Sequence, residues 1–87
     1  MIKPGDKNSL AHYVLEVRPS EMARDMKDQG ETVSFDGVGL FFCPAAGAQD
    51  AFAVGRIDLL AGYTNSITYA YYDTLAEAEY NYRHRIF

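Results

Sequence analysis

One cysteine, Cys43, is all the covalent cross-linking chemistry available to hold the 87 residues of this chain in place. An intramolecular disulfide is therefore impossible, and a zinc site built from several cysteines is excluded. A domain of this size buries only roughly 60–65% of the surface its unfolded chain exposes. The fold must rest on a small apolar core. The composition can supply one: 48% of the residues are hydrophobic, with seven tyrosines and five phenylalanines, whereas disordered chains are poor in aromatics. The length suits one domain spanning residues 1–87, with residues 1–8 as a polar lead-in marked by the Pro4-Gly5 turn signal. Secreted domains this small are usually stapled by disulfides, so a reducing, cytoplasmic setting is expected. No apolar run follows Lys3, so the N-terminus does not read as a signal peptide. The longest uncharged stretch, Leu59 to Tyr72, is broken by Gly62, Thr64, Asn65 and Ser66. It falls short of the ~20 apolar residues that a membrane span needs.

Periodicity then divides the chain. From Leu10 to Arg18, residues Ala11, Tyr13, Leu15 and Val17 alternate with His12, Glu16 and Arg18. That period of two predicts a strand, with Val14 as the exception. Pro19 ends it. Ser20 as N-cap, Glu21 in the first turn and Gly30 as a C-terminal stop predict a helix over Ser20–Gln29, with Met22, Ala23 and Met26 as its apolar face. Thr32-Val33-Ser34-Phe35, Asp36-Gly37 and Val38–Cys43 read as a hairpin, because Asp-Gly between apolar runs favours a tight turn with positive φ. Pro44 closes the second strand, and Ala45–Asp50 is a small-residue loop.

Ala51–Ala61 admits two readings. A strand is preferred, because Gly55 in mid-helix is unfavourable by ~1 kcal/mol relative to alanine. A helix capped by Asp50, with Ala53, Ile57 and Leu60 as its stripe, is the alternative. Ile67–Tyr72 predicts another strand. Thr74-Leu75-Ala76-Glu77 forms a capping box for a final helix, with Leu75, Ala78, Tyr82 and Ile86 on one face and Glu79–Arg83 as an i,i+4 pair. The expected fold class is α+β: a small antiparallel sheet of four to five strands in the order β-α-β-β-β-β-α, with two helices packed on one face. A helical 51–61 would instead give a ferredoxin-like order with an added helix.

The formal net charge is −4, and it is unevenly placed. Ten carboxylates lie between Ser20 and Glu79, opposed only by Arg24, Lys27 and Arg56. A phosphate-binding surface needs clustered cations, so direct nucleic-acid binding is not expected. On the expected first helix, Glu21, Asp25 and Asp28 fall at i, i+4 and i+7 and form one acidic stripe, which Glu31 and Asp36 extend. Tyr69 and Tyr71 share one face of the last strand and Tyr72 takes the other. Tyrosine couples a large apolar ring to a polar tip, which suits interfaces. These eight residues are the candidate partner-binding set. The bland reading of each is a solvated helix face or the strand–helix core.

Catalytic chemistry is not indicated. Cys43 ends an expected buried strand and reads as a small core residue. His12 and Glu16 lie about 13 Å apart along a strand, too far to share an ion. The Gly37-Val38-Gly39 motif lies in a hairpin rather than between a strand and a helix, so a dinucleotide site is not expected. No catalytic residue, metal or cofactor is expected.

In size, acidity and mixed α/β content the chain resembles the small inhibitors of phages and mobile elements, such as anti-CRISPR proteins, though no motif in Glu21–Asp36 or Ile67–Glu79 identifies a family. That resemblance, one of class rather than of motif, implies a protein that occludes a basic nucleic-acid-binding surface on a partner. The expected function is thus a small acidic interaction module that binds and modulates another protein. The alternatives are a self-associating homodimer, through a sheet edge or the last helix, and a small enzyme.

Overall fold

A computed structural model describes residues 2–7, 11–28, 31–44, 49–60 and 66–84, with backbone alone at 23–28, 31–33 and 66–69. The described residues form four strands and one helix: β1 (Tyr13–Asp28), β2 (Glu31–Phe42), β3 (Phe52–Ile57), β4 (Ser66–Tyr72) and α1 (Leu75–His84). The strands make one antiparallel meander in the order β1-β2-β3-β4. The α+β class and the antiparallel sheet stand. The arrangement with two helices does not.

Of the expected helix over Ser20–Gln29, residues 20–28 are the second half of β1, and Gln29 lies outside the described residues. Its N-cap signal is real but is used differently. Ser20 Oγ accepts the Met22 backbone N–H at 3.1 Å, two residues on. That is the side-chain turn serine makes as readily as a helix cap. The backbone bulges here: Pro19 pairs with Gly37, whereas Arg24 pairs with Phe35. Four residues of β1 therefore stand opposite Asp36 alone. Beyond the bulge the chain re-enters the ladder, because the β-prone run Thr32–Phe35 offers a local partner. Pairing to β2 outweighs the weak helical preference of a segment with a narrow apolar face.

The Asp36-Gly37 turn is likewise absent. Both residues lie inside β2, and the positive φ angles of the described residues belong to Gly5, Ala11 and Asp50. Gly37 and Gly39 serve closeness rather than turning. A Cβ at Gly39 would lie 2.5 Å from the Phe41 ring, and one at Gly37 would lie 2.5 Å from Leu59. Two aromatic or aliphatic groups lie flat on the strand because these residues have no side chain. The ladder between β1 and β2 instead runs out to Asp28 opposite Glu31, so two residues separate the strands. Since β3 pairs with β2 only from Gly37 to Phe42, the stretch 24–28/31–35 is a two-stranded ribbon extending past β3.

Within residues 51–61 the strand reading holds for Phe52–Ile57, with β3 buried along nearly its whole length, while Ala61 lies outside the described residues. Successive strand residues point to opposite faces, and two cores result. One face holds Ile2, Val14, Phe41, Cys43, Ala53 and Ile57, with Val17 and Leu59 against them. The segment expected as a lead-in covers this face. Ile2 is buried, its N–H donates to the Leu59 carbonyl at 3.1 Å, and Gly5 and Asp6 exchange backbone bonds with Val14. The other face holds Val38, Leu40 and Val54 under Ala78 and Tyr82 of α1. A register shift between Val14 and Glu16 lets Val14 and Val17 both reach the first core while Leu15 packs on the second. That bulge explains the break in alternation at Val14.

The start of α1 matches its sequence signal. Glu77 N–H donates to Thr74 Oγ1 at 3.2 Å, and the threonine hydroxyl donates to Glu77 Oε1 at 3.4 Å. The docking stripe is narrower than expected. Ala78 and Tyr82 are buried, Leu75 is exposed, and Ile86 lies outside the described residues. Arg83 reaches Glu16 of β1 at 3.5 Å. At the helix end, Arg18 Nη2 donates to the Tyr82 carbonyl at 2.9 Å and its guanidinium lies over the Tyr82 ring. A cation there complements the negative end of the helix. Among the described residues, no helix is long and apolar enough to cross a membrane.

Candidate functional site

The acidic stripe requires a helix, and it is lost with the helix. Glu21 is exposed in the β1 bulge beside Met22. Asp25 and Asp28 are three residues apart on a strand and occupy opposite pleats. Asp28 and Glu31 form the closing pair of the ribbon, two carboxylate residues directly opposed. Asp36 is half-buried, and its Oδ1 accepts the Leu59 N–H at 2.9 Å. It acts as a structural acceptor. Other carboxylates serve the same purpose: Asp58 accepts the Leu60 N–H, Asp73 the Asp50 N–H and Asp6 the Lys3 N–H. A good share of the acidity is thus consumed in tying turns. The ribbon and its bulge still concentrate five carboxylates, at 21, 25, 28, 31 and 36, against Arg24 and Lys27.

The tyrosines also separate. Tyr71 and Tyr72 lie on opposite faces, and Tyr69 occupies the extra position where β4 slips against β3 between Val54 and Gly55. Its side chain lies outside the described residues. Tyr71 is 44% exposed, and its ring meets His12 edge-on at 6.0 Å. His12 also faces Phe41, and burial lowers its pKa. Cys43 lies buried in the first core. Burial, reinforced by Asp50, pushes its thiol up to about 11, which keeps the sulfur protonated at neutral pH. Among the described residues, no group of three or more His, Cys, Asp or Glu is placed to hold a metal ion.

A feature that sequence reasoning missed is an aromatic row. The register sets Tyr13 opposite Phe42, Phe42 opposite Phe52, and Phe52 opposite Tyr72. Four aromatics thus cross all four strands in line, on the same face as α1. The Tyr13 and Phe42 rings stack with centroids 6.4 Å apart, and Phe42 meets Phe52 at 5.6 Å. Phe52 and Tyr72 pack on the second core, whereas Tyr13 is 37% exposed and carries the Lys7 ammonium 4.9 Å above its ring. The signal was available in outline. Each strand has an aromatic at one terminal position: first in β1, last in β2, first in β3 and last in β4. In a meander those four positions coincide at one end of the sheet.

A second feature is an open cleft of about 520 Å³ between β1 and the end of α1, lined by Glu16, Val17, Arg18, Glu21, Tyr82 and Arg83. Its charges are mixed in sign. Burial and Glu16 raise the Tyr82 pKa, against the opposing pull of Arg18 and Arg83.

Comparison of the chain with protein-family models, curated proteins and solved structures gives no match.

Proposed function

We propose that this chain is a small interaction module that binds another protein through the aromatic row at the end of its sheet, and modulates or inhibits that partner. The observation that carries this reading is the row itself. Tyr13, Phe42, Phe52 and Tyr72 present partly exposed rings in continuous register, fixed by a backbone ladder rather than by mobile loops. Aromatic rings held rigid in this way give large contact area at low entropic cost and are enriched at protein interfaces. The ribbon supports a partner of basic character. Its carboxylates favour approach to a positively charged surface, of the kind that holds nucleic acid. Occlusion of such a surface is the mode of inhibition this charge pattern fits.

The test separates the two features. The chain is immobilised, and retained protein is compared between wild type and variants that keep the wild-type circular dichroism. Tyr13→Ala, at the exposed end of the row, is expected to release the retained protein. Tyr80→Ala, equally aromatic and more exposed but outside the row, is expected to leave it bound. Retention unaffected by Tyr13→Ala and Lys7→Ala together would overturn the reading. Charge reversal at Glu21, Asp25 and Asp28 is expected to weaken retention most at low salt, where unscreened charge acts at longest range.

A further inference from the structure

β1 is an outer strand of the sheet, and an outer strand offers unpaired backbone donors and acceptors to any other strand. At its start this edge is covered from within the chain. Lys7 forms an antiparallel bridge with Tyr13, and Val14 exchanges backbone bonds with Gly5 and Asp6. Lys7 thus stands at the end of the aromatic row, where a further strand would stand. Phe42 stacks on Tyr13 from the β2 side, and the Lys7 ammonium lies 4.9 Å from the Tyr13 ring centroid on the outer side. The row is closed by a cation, and that cation is lightly held. Lys7 is exposed, and among the described residues no carboxylate pairs with it.

We infer that the outer face of Tyr13 is a seat for a cationic side chain, and that the Lys7 ammonium yields this place to an arginine of the partner. The inference rests on the reading of the row as the partner-binding surface, and it names the side chain which that surface selects. The class of occupant follows from the contact already present: the ring face holds a cation. Arginine follows from the physics of the two ions. An ammonium is compact and strongly hydrated, whereas a guanidinium is planar, more weakly hydrated and stacks on aromatic faces. The exchange returns the Lys7 ammonium to water and places the better-matched ion on Tyr13. The backbone bridge at Lys7 stays in place, because only the side chain has to swing aside. The net charge of −4 favours the approach of the incoming cation. A segment that brings no cation must displace one without supplying another.

Nuclear magnetic resonance of the full chain tests the seat. The probe is N-acetyl-arginine methylamide, and the control is its citrulline analogue, nearly the same in shape but uncharged. The arginine compound is expected to shift the Tyr13 ring signals, and to shift them further than those of Tyr80, which is 64% exposed and outside the row. The citrulline compound is expected to leave both in place. Lys7→Ala removes the resident cation and is expected to tighten arginine binding about two- to five-fold, the range of an exposed cation–π contact. Lys3→Ala changes the net charge equally and is expected to leave the binding unchanged. Equal shifts with the two compounds, equal shifts at Tyr13 and Tyr80, or binding by Lys7→Ala no tighter than by Lys3→Ala each overturn the inference. If Lys7→Ala does not fold, the two compounds on the wild-type chain decide. The retention experiment separates this inference from the reading beneath it. If Tyr13→Ala releases the retained protein while no arginine binds at Tyr13, the row remains the surface and the arginine seat falls.

Discussion

The two edges of this sheet solve the same physical problem in opposite ways. β1 is long, charged and twice bulged, and its irregularity is held in place from within. Arg56 of β3 is 7% exposed and reaches across β2 to the Ser20–Met22 bulge. Its Nη1 donates to Ser20 Oγ at 3.0 Å, to the Phe35 carbonyl at 3.3 Å and to the Met22 carbonyl. A buried guanidinium satisfied by fixed oxygens is specific to one backbone shape. β4 has seven residues, no charge and one slip. The contrast shows that the bulge after Pro19 is a built feature: a buried cation is committed to keeping that strand from being a regular pairing edge.

The largest expected effect comes from dismantling that clamp. Arg56→Met keeps much of the volume but removes every donor, leaving Ser20 Oγ and two carbonyls without this partner. A loss of about 2–4 kcal/mol is expected in urea denaturation, since hydrogen bonds to charged groups are the strong ones and their buried acceptors are costly to strand. Amide exchange at Ser20–Met22 should rise more than elsewhere. A stable variant with unchanged exchange would mean that the bulge holds itself. Next comes the centre of the sheet as a reference for both edges. Gly39→Ala drives a methyl into the Phe41 ring, and overpacking of this kind costs about 1–3 kcal/mol. A neutral outcome would show that the Phe41 ring has room to move.

Ser20→Ala is milder. It removes the acceptor for Met22 N–H and for Arg56 but leaves the guanidinium its bonds to the Phe35 and Met22 carbonyls. About 1 kcal/mol is expected, and a loss as large as that of Arg56→Met would place the whole clamp on this hydroxyl. The pH response sharpens the comparison at the β1 start, where His12 sits against Phe41 and Tyr71. Burial lowers the pKa of His12 from 6.5, so the unfolded chain takes up its proton first as pH falls. Stability from this group is complete above the unfolded value and declines from there down to the lower folded value. A modest drop in the urea midpoint across that window is expected, and His12→Phe should flatten it. The smallest effect belongs to the surface. Arg83→Ala breaks an exposed pair with Glu16, for which about 0–0.5 kcal/mol is expected. A larger loss would show that Arg83 also supports the end of α1.

The reading of the sequence succeeded where a signal was local and unopposed. The β4 strand, the strand character of Phe52–Ile57 and the Thr74/Glu77 cap of α1 follow from the alternation of Ile67–Tyr72, from Gly55 and from one side-chain bond. It failed where one signal serves two structures. Ser20 accepts an N–H two residues on whether it opens a helix or a bulge. Asp36-Gly37 looks like a turn, yet the aspartate is wanted by Leu59 N–H and the glycine by the Leu59 side chain. The acidic stripe fell with the helix, because carboxylates aligned at a period of 3.6 are scattered at a period of two.

By itself the sequence determined the class: one small domain without disulfides, an antiparallel sheet, a capped C-terminal helix and an excess of carboxylates in the middle of the chain. Only the tertiary structure decided which residues meet. Register is a property of two strands together, so the row Tyr13–Phe42–Phe52–Tyr72 exists only once four strands are aligned. The clamp from Arg56 to Ser20 spans 36 residues, and no local pattern announces it. The glycines at 37 and 39 acquire their meaning from side chains that fold down onto them. Local propensities choose among elements within fractions of a kcal/mol, and long-range pairing and burial, which are larger, make the final choice.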